Sequence, residues 1–155
     1  LSWNDIDLEN RIIHVRHTVA RIKNPNTDAK IKSILIIDKP KTKTSARDIP
    51  ITSKMLPILT VAADKAVSDF VISMEKSFVS PRTFEYRYHK KLDVCNIPQV
   101  NFHVLRHTFA TRCIEKGVDV KTLSEILGHA NVSITLNTYV HSSMALKREQ
   151  LEKID

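Results

Sequence analysis

The sequence predicts an α+β fold, a mainly helical domain with a small three-stranded antiparallel sheet at one edge. Residues 11–22 alternate apolar and polar side chains, residues 31–38 hold an apolar run, and both stretches are rich in β-branched residues, a pattern typical of strands. Much of residues 52–139 instead repeats apolar side chains at three- and four-residue steps, which is the period of helices. The length of 155 residues corresponds to one domain, which can bury a core without disulfides or a metal.

Three strands are expected in the amino-terminal third of the chain. Alternation marks Arg11–Ile22 as the first strand, and a long apolar run marks Ile31–Asp38 as the second. A lysine-rich turn at residues 39–45 leads to a short third strand, Ala46–Pro50. Because its final residue is a proline, which cannot donate to a ladder, the third strand is predicted at the sheet edge.

Two helices are expected next. Thr52 or Ser53 can cap a helix that runs to about residue 67. Ser80 and Pro81 have the residue types of an N-cap and a first helical position, so a second helix begins there. This second helix carries an apolar line at three- and four-residue steps, formed by Phe84, Tyr88, Leu92 and Cys95.

Three shorter helical segments follow between residues 102 and 140. The first covers residues 102–113 and ends near Gly117, since glycine enters a left-handed cap without strain. Asp119 is the expected N-cap of the second, which Gly128 would end. Residues 142–155 are predicted to form a further short amphipathic helix, which docks either on its own domain or on a neighbouring protomer.

Four side chains in this region have the chemistry to cut a phosphodiester without a metal. His103 and Arg106 lie three positions apart, so a helix places them on one face. His129 follows a predicted helix end, where its side chain can be aimed into a cleft, and Tyr139 lies ten positions later. The set combines a cation that grips phosphate, two groups that move protons and a phenol nucleophile.

This stretch resembles the carboxyl-terminal signature of the tyrosine recombinases, the phage integrase family, and most of all the integrases of bacterial conjugative transposons. The matching segments are His103–Thr108, Leu127–His129 and Thr135–His141. Each segment alone is weak, but all three in this order and at these spacings are strongly specific. The resemblance covers nearly the whole chain, because the amino-terminal part matches as well.

The resemblance implies a site-specific DNA recombinase or integrase that breaks and rejoins strands through a covalent 3′-phosphotyrosine intermediate. Tyr139 would be the nucleophile, and Arg106 would clamp the scissile phosphate. His103 would bond the phosphate or take the tyrosine proton, and His129 would bond the same oxygens. His107 is interpreted as a buried support, because zinc binding by two histidines lacks an evident third ligand.

The family also carries a catalytic lysine on a basic hairpin, where it protonates the leaving oxygen. Lys41 matches that position best, and Lys43 is the alternate. Eleven Lys or Arg and three Asp between residues 11 and 54 leave +8 there, against +7 for the whole chain. Lys39, Lys41, Lys43 and Arg47 are therefore predicted to face a DNA phosphate backbone.

The partners implied are double-stranded DNA at attachment sites and other recombinase protomers, with a tetramer on DNA and neither cofactor nor metal. The family's first catalytic arginine and its DNA-binding domain would lie upstream of Leu1. Residues 1–155 are therefore expected to be a catalytic-domain fragment of a mobile-element protein, inactive alone. The bacterial cytoplasm, at the nucleoid, is the expected location, since no apolar run reaches the ~18 residues of a membrane span. Cys95 and Cys113 are expected to be buried free thiols.

A different class of function is also open, a non-enzymatic DNA-binding module. Residues 119–139 fit two short helices about a glycine turn, as in helix-turn-helix proteins. That module needs a protruding, base-reading helix, whereas the enzyme needs one basic concavity. The concavity would be lined by Lys41 or Lys43, His103, Arg106, His129 and Tyr139. A topoisomerase-like relaxing enzyme with the same chemistry is not separated by the sequence.

Overall fold

The computed structural model confirms the α+β class, with five α-helices and seven short strands among the residues that it describes. These are residues 1–26, 30–40, 45–75, 77–139, 148 and 151–152. The chain divides into two compact units, residues 1–104 and 105–155. The first unit holds all the described strands, and the second is helical.

A three-stranded antiparallel sheet lies in the amino-terminal unit, as predicted in number and direction. Its strands, in spatial order, are β1 (Ile6–Asp7), β2 (Ile12–Val15) and β5 (Arg47–Pro50). The register places Ile13 opposite both Ile6 and Ile49. The strand that ends at Pro50 is at the edge of this sheet, which confirms the expectation drawn from proline.

The membership of the sheet differs from the prediction, because Arg11–Ile22 is not one strand. It divides at Arg16 and His17 into β2 and β3 (Thr18–Lys23). The second half pairs with β4 (Ser33–Asp38) in a separate two-stranded sheet. The division lets the two halves of one extended segment join different ladders, and the alternation of side chains continues across it, so the sequence does not reveal it. A short hairpin follows later, β6 (Ser73–Met74) with β7 (Ser77–Phe78).

Two helices complete the amino-terminal unit, α1 (Leu56–Asp64) and α2 (Pro81–Val94). The Ser80 hydroxyl accepts the Thr83 backbone N–H at 3.1 Å, which confirms the predicted N-cap of α2. Thr52 caps the turn that leads into α1, because its hydroxyl accepts the Met55 backbone N–H at 3.3 Å, as predicted for one of the two candidate caps. The Thr52 carbonyl accepts N–H groups in a turn before the helix, and α1 begins one turn later than predicted.

An aromatic cluster forms on one face of α2 in this unit. The Phe102 ring meets the rings of Phe84 and Tyr88 edge to face, each with its centroid at 5.2 Å. Leu92 is buried on the same line of α2. Cys95, however, is exposed, so the prediction of two buried thiols is wrong for this residue, which is the C-cap where the helix ends. Cys113 is half-buried, and desolvation raises the pKa of its thiol.

The carboxy-terminal unit is built on three helices. They are α3 (His103–Glu115), whose first residues belong to the other unit, α4 (Val120–Leu127) and α5 (Val132–Tyr139). The core of the unit consists of the buried side chains of Ala110, Leu123 and Leu127. Gly117 adopts φ +75° after α3, and the Asp119 carboxylate accepts the Thr122 N–H at 2.8 Å, so both predicted helix signals are confirmed. The predicted helix at residues 142–155 lies mostly outside the described residues.

Among the described residues no helix is long and apolar enough to cross a membrane.

The cap of α4 should make the stability of the chain depend on pH. The Thr122 backbone N–H donates to Asp119 and holds the pKa of that carboxyl below its ordinary value. A lowered folded-state pKa means that the carboxylate stabilises the fold above about pH 4, and that this stabilisation is lost as the pH falls through the lowered pKa. We expect Asp119→Asn, which can still cap but does not titrate, to reduce the fall in urea midpoint between about pH 5 and pH 2.

The control is Asp119→Ala, which removes the capping oxygen and should lower the urea midpoint at neutral pH as well. An identical pH dependence in the unchanged chain and in Asp119→Asn would contradict this linkage.

Candidate active site

The turn at the end of α4 positions much of the candidate site. Gly128 adopts the left-handed conformation, with φ 71°. Its N–H donates to the Glu125 carbonyl and the His129 N–H donates to the Ser124 carbonyl, each at 3.0 Å. This is the Schellman arrangement, which reverses the chain and uses the carbonyls one turn back. The turn brings His129 directly past the helix end, as predicted, and leaves the Leu127 carbonyl for a partner outside α4.

Arg106 of α3 supplies that partner. Its Nη2 donates to the Leu127 carbonyl oxygen at 2.7 Å. The last carbonyls of a helix lack intrahelical donors and carry partial negative charge, so a guanidinium is favoured there. Arg106 is half-buried, and a backbone oxygen rather than an acidic side chain orients it. A guanidinium has five donors, so one such bond fixes the plane while the group keeps the capacity to bind an anion.

Thr135 orients the second predicted catalytic group. Its side chain is fully buried in α5, and its Oγ1 lies 2.8 Å from the Nδ1 of half-buried His129. This contact fixes one ring nitrogen and therefore the direction of the other. The sequence analysis named Thr135 only within a motif and gave it no role. A hydroxyl six residues after a histidine is not a recognisable signal until α5 folds back on the end of α4.

Tyr139, the predicted nucleophile, ends α5 and meets α3. Its hydroxyl lies 2.9 Å from the Nδ1 of His107, and the two ring centroids are 5.6 Å apart. His107 is exposed, so its interpretation as a buried support is wrong. The buried position on α3 is Ala110, and the polar contact of His107 is with the phenol.

Three hydrogen bonds therefore join the three helices in a closed ring. Arg106 joins α3 to the end of α4, and His129 joins the following turn to α5. Tyr139 returns from α5 to α3. The three helices joined in this way carry a guanidinium, two imidazoles and a phenol, which are the residue types able to bind a phosphate and to attack it.

The fourth predicted group, His103, is the first residue of α3, one turn before Arg106. It is exposed, and its backbone N–H donates to Asn101 Oδ1 at 2.8 Å, which caps the helix. The predicted placement of His103 and Arg106 one turn apart on the same helix is therefore observed.

The predicted hairpin site is described in part. Lys41 and Lys43, the candidate catalytic lysines, lie outside the described residues. Lys39 is exposed after β4, consistent with a surface cation. Arg47 is half-buried, and its Nη1 donates to the Ser45 carbonyl at 3.0 Å. The strands that flank the lysines, β4 and β5, belong to different sheets and are not paired as a hairpin.

The chain is similar to several known proteins. The family model "Phage integrase family" matches residues 1–145. The tyrosine recombinase XerC-like protein of Caldanaerobacter subterraneus subsp. tengcongensis is 33% identical, over all of this chain and 44% of that protein. The transposase from transposon Tn916 of Enterococcus faecalis is 27% identical, over all of this chain and 40% of that protein.

Solved structures resemble the fold as well. The Tn1549 transposon integrase in complex with a circular intermediate DNA is 25% identical, with a TM-score of 0.77 over all of this chain and 52% of that chain. The XerA recombinase is 25% identical, with a TM-score of 0.64 over 99% of this chain and 49% of that chain. This chain thus spans about half the length, or less, of these relatives.

The bond between Thr135 and His129 should be measurable as a coupling free energy. Thr135→Val keeps the shape of the side chain but removes the hydroxyl, which leaves the half-buried imidazole without this partner. Loss of such a bond costs about 1 kcal/mol or more of unfolding free energy. We expect a double-mutant cycle of Thr135→Val and His129→Ala, read by urea unfolding, to give a coupling of about 0.5–1.5 kcal/mol.

Thr138→Val provides the matched control, because Thr138 is exposed on the same helix. Its cycle with His129→Ala should give no coupling. Equal couplings for the two threonines would show that the bond is not specific.

Proposed function

Since this chain belongs to the phage integrase family, we propose that it is the catalytic domain of a site-specific DNA recombinase or integrase. The proposed reaction breaks a DNA strand through a covalent 3′-phosphotyrosine and rejoins it by the reverse attack. The observation that carries this proposal is the junction of the helices. There the Tyr139 hydroxyl contacts His107 of α3, the residue that follows Arg106. The relatives support it, since they are named as tyrosine recombinases and transposon proteins.

The proposed roles follow from the chemistry of each group. The Tyr139 oxygen attacks the phosphorus and gives its proton to a histidine base, the bond to the 5′ oxygen breaks, and Lys41, or Lys43 as the alternate, gives that oxygen a proton. Arg106 neutralises the charge that develops on the non-bridging oxygens, with His103 and His129 as further donors. The phosphotyrosine retains the energy of the phosphodiester, so the 5′-hydroxyl can attack it in turn and no nucleotide cofactor or metal is required.

DNA is the proposed partner, bound through the basic amino-terminal unit. The +8 charge of residues 11–54 suits a phosphate backbone, and Lys39 is exposed after β4 while Arg47 lies on β5. Two similar structures of the Tn1549 transposon integrase are complexes with a circular intermediate DNA, as their names state. We further propose that protomers assemble on DNA, as a tetramer, and that they act at the nucleoid in the bacterial cytoplasm.

The helix-turn-helix alternative receives less support. A base-reading module needs α4 or α5 to protrude and present side chains to a groove. Leu123 and Leu127 of α4 are buried in the core, and the carbonyl of Leu127 is bonded to Arg106. The bond from Arg106 places a phosphate-binding cation at the end of α4, which the enzyme hypothesis needs and a base-reading module does not.

Tyr139→Phe should abolish covalent complex formation, because the phenyl ring keeps the packing but has no attacking oxygen. The assay uses the full-length protein and a nicked suicide duplex that carries its recombination site, with the complex resolved on a denaturing gel. Binding to the intact duplex should stay near that of the unchanged protein. Tyr86→Phe is the matched control, since Tyr86 is 68% exposed on α2, and it should form the complex normally. Persistent trapping by Tyr139→Phe would assign the nucleophile elsewhere.

The hairpin lysines should be distinguishable by the leaving group. Lys41→Ala should slow cleavage of an ordinary phosphodiester by about 100-fold, because the 5′ oxygen then leaves without a proton donor. A 5′-bridging phosphorothiolate releases a thiolate that needs no proton, so it should restore the rate. Lys54→Ala is the control, because it removes a cation at the end of the basic region, and it should leave the cleavage rate of both substrates unchanged. If the phosphorothiolate restores the cleavage rate of Lys43→Ala but not of Lys41→Ala, Lys43 is the proton donor. If it restores the rate of neither variant, both lysines are excluded as the proton donor.

A further inference from the structure

The hydrogen bond between His107 and Tyr139 has no part in the mechanism proposed above. The phenol oxygen and the Nδ1 of His107 are 2.9 Å apart, within the range required of a proton acceptor. With the ring proton on Nε2, the Nδ1 of His107 accepts from the phenol hydroxyl. The contact therefore joins a base to the atom that attacks.

Packing, rather than this bond, holds the tyrosine ring in place. Tyr139 is half-buried and packs against the core cluster of Ala110, Leu123 and Leu127. A ring fixed by apolar contacts does not need an exposed imidazole to keep it there. The position of His107 is therefore better explained by chemistry at the hydroxyl than by support of the fold.

We propose that His107 is the proton acceptor for Tyr139 during strand cleavage, an inference that rests on the proposed recombinase function. The phenol proton moves to Nδ1 as the oxygen forms its bond to phosphorus. The bond between phosphorus and the 5′ oxygen breaks, and that oxygen keeps the electron pair and takes a proton from the hairpin lysine. On rejoining, the 5′-hydroxyl attacks phosphorus and gives its proton back to the lysine, while the bond to the tyrosine oxygen breaks and the imidazolium returns its proton to that oxygen, so atoms and charge balance.

The neighbouring groups favour this assignment. Arg106, the preceding residue on α3, donates to the Leu127 carbonyl and is not the partner of the phenol. The Nδ1 of His129 is already bonded to Thr135. His103 lies one turn earlier at the start of α3. His107 is exposed, so its imidazole can exchange protons with water between cycles.

The test measures the rate of covalent complex formation by the full-length protein on a nicked suicide duplex with a 5′-bridging phosphorothiolate. This leaving group makes the reaction independent of the lysine, so a remaining defect reports on activation of the nucleophile. His107→Ala should react about 100-fold more slowly or worse, with unchanged DNA binding. Added imidazole should restore part of the rate, because the exposed site can admit a free base, whereas Tyr139→Phe should stay inactive.

His107→Asn separates proton transfer from positioning. Its amide keeps a polar atom near the place of Nδ1 but cannot take a proton. We expect it to be as slow as His107→Ala, and thermal unfolding of both variants should match that of the unchanged protein, since the residue is exposed. Near-normal cleavage by His107→Asn would overturn the proposal in favour of positioning. Cleavage faster than normal by His107→Ala would overturn it too, because the bond would then restrain the hydroxyl.

Different results would contradict the recombinase function and the role of His107. If the unchanged protein forms no covalent complex, the recombinase function fails, and the role of His107 fails with it. If the unchanged protein and His107→Ala form the complex at equal rates, the function stands and the assignment of His107 alone is overturned.

Discussion

The carbonyl oxygen of Leu127 is the acceptor on which the arrangement of the site depends. A helix that ends in a left-handed turn leaves its last carbonyl without a partner in the helix. Here the Gly128 turn leaves that oxygen to the guanidinium of Arg106. One backbone conformation thereby fixes a cation on α3 and sends His129 towards α5. A residue with a Cβ would be strained at this position by about 1–2 kcal/mol, which is why glycine is required.

The small core beneath the site explains how the phenol is held. Ala110, Leu123 and Leu127 are the buried centre of the carboxy-terminal unit, and Tyr139 packs against them through its ring. Apolar packing is non-directional, so it sets the depth of the ring, while the hydrogen bond of the hydroxyl sets the direction of its tip. A tyrosine suits this division because its body is apolar and its end is polar.

Much of the fold could be predicted from local rules, and the errors of the prediction have identifiable causes. Ser80, Asp119 and Gly128 were predicted as caps and are caps, because capping depends on one residue and its nearest backbone. The single strand predicted for residues 11–22 is two strands, since the choice of ladder partner is made by distant segments. Cys95 was predicted to be buried from its spacing, but a residue at a helix end faces the solvent.

The sequence by itself determined the fold class, most of the helix caps and the candidate chemical groups, Arg106, His103, His129 and Tyr139. Motif order and spacing are local properties, and they are sufficient to recognise a family. The tertiary structure decided which groups touch. In it Thr135 hydrogen-bonds to His129, the Leu127 carbonyl accepts from Arg106, and His107 contacts the Tyr139 hydroxyl. These pairs are 6, 21 and 32 residues apart, and no periodicity relates them; α3, α4 and α5 bring them together by burying one shared apolar cluster.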